Sequence, residues 1–200
     1  MAKALEAPED GVESGLLPEA FSGLDRQGWS VLDLGPATSA TVAFYASSRC
    51  RVGFADSLNR LADMAREWPM DPTLARDELR EALPIHPERP WRLVLLWDLL
   101  DYMPGAMLER FIERLRPGLA AGACLHGFVT TGPQTVPARP PAYEILARDR
   151  LCRWVGPGTG RQAPHRYSPW HLQRYMPGVV QESSRQRRDA RQEHLLRLDG

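Results

Sequence analysis

Three short stretches place chemically capable side chains at intervals that a folded sheet can use. Asp33-Leu34-Gly35 closes the apolar run that starts at Ser30, and Asp56 closes the run Arg51-Val52-Gly53-Phe54-Ala55, 21 positions after Gly35. A strand breaking into a glycine turn, then a helix, then a second strand ending in an acid is a spacing that holds a nucleoside. The turn lets the backbone approach the ligand, and the carboxylate accepts both ribose hydroxyls. The third stretch is Trp97-Asp98-Leu99-Leu100-Asp101-Tyr102, after a longer apolar run. Asp98 and Asp101 can take a proton from an attacking hydroxyl or amine, or fix a cation, and Tyr102 can supply a ring wall or a hydrogen bond.

The elements that must position these groups follow from hydrophobic period and turn chemistry. Strands are expected at Ser30–Leu34, Arg51–Ala55, Trp91–Trp97 and Ala123–Val129, the third being the continuous apolar run of a strand covered on both faces. Helices are expected from Leu16 to Gln27, after Thr38, after Ser57, after Asp71-Pro72, after Pro104 and after Ser168-Pro169. Leu83–Pro87 carries two prolines and predicts a sheet-edge remnant or no strand. Gly178–Ser183 and Gln192–Leu198 are joined by a link too short for a crossover helix, so they pair antiparallel. The sum is an α/β domain, a doubly wound and mostly parallel sheet with a C-terminal antiparallel hairpin. It spans residues 16–198. Residues 1–15 are expected to be disordered, and the Pro- and Gly-rich segment 132–166 an irregular insertion.

Two hundred residues suit one domain with a substantial core. No apolar run approaches the ~20 residues needed to span a bilayer, and the N-terminus lacks the apolar centre of a secretion signal, so a cytoplasmic protein without membrane contact is expected. Cys50, Cys124 and Cys152 read as buried free thiols. The zero net charge hides an asymmetry: residues 1–100 hold 10 basic and 16 acidic side chains, and residues 101–200 hold 15 and 9. Lys3 is the only lysine. That excludes a phosphate-loop lysine, a Schiff base and the lysine of short-chain dehydrogenases. His165, His171 and His194 lack metal-ligand spacing, and no metal is expected.

Val31-Leu-Asp-Leu-Gly35, Arg51–Asp56, Trp91–Met103 and Leu115-Arg-Pro-Gly-Leu-Ala-Ala-Gly-Ala-Cys-Leu125 resemble four consecutive motifs of the class I S-adenosylmethionine-dependent methyltransferases. Tyr167–Gly178 resembles that family's last helix and following turn. The resemblance covers about residues 16–198. It implies S-adenosylmethionine as cofactor, held by Asp33 and Gly35 at its methionine end and by Asp56 at its ribose, with Trp97 and Asp98 beside it. Asp101 and Tyr102 then face the substrate as catalytic groups. A small-molecule acceptor is favoured, with nucleic acid or protein as other possible acceptors; the oligomeric state is not implied. The chain departs from the family where Gly35-Pro-Ala-Thr-Ser-Ala40 replaces a loop of three spaced glycines, and no acid stands where the family contacts adenine.

That departure keeps a second reading open, a methyltransferase-like protein without turnover that acts as a binding or regulatory partner. Plain structural readings also stand beside each site. Asp33 and Asp56 can cap turns, Asp98–Tyr102 can be a polar turn, His126 can be a hydrogen-bonded core residue, and the arginines of the insertion (Arg148, Arg150, Arg153, Arg161, Arg166) and of Arg185–Arg188 can be solvated.

Overall fold

The computed structural model describes residues 9–157 and 160–199. Along the chain they form β1 (Glu9–Glu13), α1 (Leu17–Ala20), β2 (Ser30–Asp33), α2 (Ser39–Ala46), β3 (Arg51–Phe54), α3 (Leu58–Arg66), α4 (Pro72–Ala82), β4 (Trp91–Trp97), α5 (Gly105–Leu115), β5 (Leu119–Thr130), β6 (Val136–Pro137), β7 (Ala142–Ala147), β8 (Arg150–Trp154), β9 (Arg161–Gln162), α6 (Pro169–Tyr175), β10 (Val179–Gln186) and β11 (Arg191–Leu198).

Six strands make the central sheet in the order β10-β11-β5-β4-β2-β3. β3, β2, β4 and β5 run parallel, and β11 lies antiparallel between β5 and β10. β4 is buried from Leu93 to Trp97, as a strand covered on both faces must be. Local chemistry starts the helices. The Thr38 side chain accepts from the Thr41 N–H, Asp71 from Thr73 and Leu74, and Ser168 from His171, each satisfying a donor that the first helical turn leaves over. Ser57 behaves otherwise: its hydroxyl makes no cap bond and is buried without a partner among the described residues.

No strand is described between β3 and β4, and Leu83–His86 carries none. β3 is therefore the outer strand of the sheet. Gly53 in its middle lies under the Trp91 ring, which an added Cβ would meet at 2.6 Å, so the glycine keeps room for a large neighbour.

Three expectations need correction. The disordered N-terminus is one: residues 1–8 lie outside the described residues, but Glu9–Glu13 pairs antiparallel with β8, and Ser14 and Gly15 both bond Glu193 on β11. The insertion is another, because β1, β8 and β7 form a second, three-stranded antiparallel sheet. Its strand β7 alternates inward Tyr143 and Ile145 with outward Glu144 and Leu146, the period of a half-buried strand. The helix expected over Leu16–Gln27 shrinks to one turn, Leu17–Ala20, because turns built on Gly23 and Gly28 follow.

Candidate functional site

In an open parallel sheet, ligands bind beyond the carboxyl ends of the strands where the strand order reverses. Here that place is the edge shared by β2, β3 and β4. β2 delivers Asp33 and then Gly35. β3 delivers Asp56, whose N–H donates to the Gly35 carbonyl at 3.2 Å, while the Ala55 N–H donates to the Asp33 carbonyl at 2.8 Å. These backbone bonds lock the two turns side by side. Asp56 is exposed and has left-handed backbone, φ +46°, a costly conformation for a residue with a side chain. Its carboxylate has the reach for a pair of ribose hydroxyls.

The other half of the edge is filled. Trp97 ends β4 with φ +53° and is 1% exposed. Its indole N–H donates to Asp33 Oδ1 at 2.6 Å, and the same oxygen accepts from the Gly35 N–H at 2.8 Å. A Cβ on Gly35 would stand 3.1 Å from the indole nitrogen. Gly35 is thus small because an indole lies against it. Burial pushes the Asp33 carboxyl up to about 6, against the pull of the Trp97 and Gly35 N–H donors.

Tyr143, from β7, stacks on Trp97 with ring centres 4.7 Å apart and planes at 7°, an arrangement that aromatic pairs favour when offset. Phe128 of β5 also stacks on Tyr143, with ring centres 5.6 Å apart. The Tyr143 hydroxyl donates to Asp98 Oδ1 at 2.7 Å and accepts from Arg153 Nε at 3.2 Å and from Arg191 Nη1. Arg153 Nη2 lies 3.3 Å from Asp98 Oδ2, Arg191 Nη1 lies 3.6 Å from Asp98 Oδ1, and Arg191 is also paired to Asp189 at 2.6 Å. Carboxylates of Asp98 and Asp189 and guanidiniums of Arg153 and Arg191 thus gather around one phenol, with Arg187 also 3.3 Å from Asp189. Burial raises the Tyr143 hydroxyl well above the usual phenol range, so it stays protonated.

The structure brings Asp33, Gly35, Asp56, Trp97 and Asp98 to one edge, and turns Asp101 and Tyr102 toward protein partners. Asp101 is 0% exposed, and its two oxygens accept from the Thr130 N–H at 2.9 Å and the Thr130 hydroxyl at 2.6 Å. It fixes the end of β5. Burial and the charge of Asp98 push its carboxyl up to about 7. The Tyr102 hydroxyl donates to the carbonyls of Pro137 and Arg139 at 2.9 and 3.3 Å, which seats the β6 segment. In this structure both side chains are engaged with protein partners, Asp101 with β5 and Tyr102 with the β6 segment.

Tyr143, Phe128 and Arg191 belong to this cluster and carry no short-range signal, because they come from three separate elements. The one sequence clue is Trp97 itself, a bulky ring at a strand end that must face a glycine turn. Among the insertion arginines, Arg148, Arg150, Arg161 and Arg166 are exposed, Arg148 pairing with Asp25 at 2.6 Å, and Arg153 is built into the cluster. His126 is a core residue, bonded to Glu193 at 2.8 Å. Among the described residues, no three His, Cys, Asp or Glu side chains are placed to hold a metal ion, and no helix is long and apolar enough to cross a membrane. A surface cavity of about 640 Å³ borders the cluster at Asp189, and another of about 540 Å³ lies apart from it between Trp68–Pro72, α4 and α5.

No protein-family model and no curated protein sequence matches the chain. Solved structures do. An S-adenosylmethionine-dependent methyltransferase from Clostridium acetobutylicum superposes with TM-score 0.52 at 13% identity, over 92% of this chain and 90% of that one. CalS10, an amino pentose methyltransferase from Micromonospora echinaspora whose structure holds S-adenosylmethionine, gives 0.53 at 13% identity, over 92% and 88%. A protein from Pyrococcus horikoshii gives 0.53 at 11% identity, over 92% and 88%. With β2 and β4 adjacent, an acid ending each of the first two parallel strands and an antiparallel strand set between β5 and β10, the chain has the fold of the class I S-adenosylmethionine-dependent methyltransferases.

Proposed function

We propose that the protein binds S-adenosylmethionine and transfers its methyl group to a small-molecule acceptor. The observation that carries this reading is the juxtaposition of Asp33, Gly35 and Asp56, locked by backbone bonds at the carboxyl edge of adjacent parallel strands. Asp56 would hold the ribose; Asp33 and Asp98 would hold the amino acid end. Neighbours of the same fold include an amino pentose methyltransferase, which supports a small acceptor. Such transfer rests mainly on alignment of the acceptor with the methyl group, so it requires no triad or metal. In this conformation the ribose end fits the residues present. The methionine end does not, because Trp97 and Tyr143 fill its space.

That filling favours a second reading, a protein with the methyltransferase fold that has no turnover and serves as a binding or regulatory partner. Calorimetric titration with S-adenosylmethionine, S-adenosylhomocysteine and NAD separates the two. Saturable binding of the adenosyl compounds and not of NAD, followed by label transfer from methyl-labelled cofactor to a panel of amino sugars and phenols, is the expected result. No binding of either adenosyl compound at millimolar concentration would leave only the second reading.

A further inference from the structure

Resting on the cofactor reading, we propose that Trp97 and Tyr143 form a gate that shuts the methionine half of the cleft, and that ligand enters only when this ring pair withdraws. Each polar group that would greet an amino acid moiety already has an internal substitute. The indole N–H occupies Asp33, and the phenol hydroxyl with two guanidiniums occupies Asp98. A ligand ammonium arriving at Asp98 as a guanidinium leaves exchanges one cation for another. The buried carboxylate is then never left unpaired, which is the expensive state.

The geometry also supplies the moving parts. Tyr143 stands on β7, which belongs to the small sheet β1-β8-β7 and not to the central ladder, so its withdrawal breaks no pairing of the six-stranded sheet. Its polar ties to the body near the cleft are the Asp98 cluster and one bond from the Ile145 N–H to the Thr41 hydroxyl at 3.0 Å, beside the apolar packing of Tyr143 on Phe128 and of Ile145 in the core. Trp97 holds a left-handed backbone at φ +53°, and the β4–β5 register shifts between Leu95 and Trp97. A strained junction at a strand end is a place where one peptide rotation re-aims a side chain. A ligand that binds only the open state then has its affinity reduced by the fraction of molecules that are open.

The test is titration of S-adenosylhomocysteine into wild type, Tyr143→Ala, Tyr143→Phe and Trp97→Phe, each checked for folding by circular dichroism and thermal melting. Tyr143→Ala is expected to bind about ten-fold tighter or more than wild type, with Tyr143→Phe between them. Tryptophan emission of wild type shifts to the red on binding as the indole leaves its stack, and Trp97→Phe lacks that shift. Where Tyr143→Ala does not fold, Tyr143→Phe and the emission change decide. Equal affinity of wild type and the folded Tyr143 variants, or unchanged emission at saturation, overturns the gate and leaves the cofactor reading intact. Absence of binding by every folded form overturns both.

Discussion

Asp101 holds a carboxylate away from water with two donors from a single residue, Thr130. Its folded-state value of about 7 lies above the ordinary 3.8, so the folded protein keeps a proton that the unfolded chain releases near pH 4. Stability from this group is therefore full below about pH 4 and is lost as the pH rises toward 7. Asparagine keeps the acceptor for the Thr130 N–H and offers an N–H to the hydroxyl without a charge. Asp101→Asn is expected to be more stable than wild type at pH 8, by on the order of 1–3 kcal/mol, with the gap closing toward pH 4; urea melts at the two pH values measure it. Asp56 is the contrasting case, an exposed acid free to meet a ligand. Asp56→Ala is expected to weaken S-adenosylhomocysteine binding about ten-fold by calorimetry, with an unchanged melting temperature. Asp33, Gly35 and Asp56 were legible because each ends or follows a strand that its own apolar run announces. The bond of Asp101 to Thr130 was not legible, because one residue of turn geometry decides whether a carboxylate after a strand faces the cleft or the neighbouring strand, and no pattern in the sequence encodes that choice.

Among the elements, β11 does the most joining. Glu193 accepts from the Ser14 hydroxyl and from the Gly15 N–H at 2.9 Å, and bonds His126 on β5 at 2.8 Å. It thereby ties the start of the described chain to the central sheet. Burial works to raise its carboxyl, but His126, Ser14 and Gly15 outweigh it and hold it at about 2. The stability it supplies is present above the usual 4.5 and is lost as the pH falls toward 2. Glu193→Gln removes the charge and turns one acceptor into a donor facing donors. A loss of about 2–4 kcal/mol at pH 7, shrinking below pH 3, is expected from denaturant titration. Period and capping made β4, β5, α4 and α5 readable from their own residues. β7 was not, since its alternation spans only Ala142–Ala147 among prolines, and β1 pairs with a strand more than a hundred positions away. Such pairings leave no local trace.

At the scale of the whole molecule, the alternation of strands and helices was enough to set the central sheet, because parallel strands need crossovers and the handedness of crossovers leaves few arrangements. The second sheet came from long-range pairing and was invisible to that logic. Its separate ladder predicts uneven hydrogen exchange. Amides of β4 and β5 are expected to exchange slowest, and those of β7 and β8 sooner, with β7 changing its protection when an adenosyl ligand binds; exchange read by mass spectrometry tests this, and uniform protection across both sheets would contradict it.

The outer strand of the central sheet, Arg51–Phe54, has a further consequence. A bare strand edge is a template on which other chains can assemble into aggregates. This one is four residues long, and its first side chain stands guard. The Arg51 guanidinium lies 3.8 Å over the Trp91 ring and donates to the Arg89 and Pro90 carbonyls at 2.5 and 3.0 Å, which holds a hydrated charge beside the edge at little conformational cost. The opposite outer strand, β10, is protected differently, by a register break between Gln181 and Ser183 that bends it. Arg51→Val would lengthen the apolar edge and remove its charge while leaving the cleft untouched. Light scattering of the variant is expected to rise with concentration and time at 37 °C where wild type stays clear, and a variant as clear as wild type would show that brevity alone keeps this edge apart.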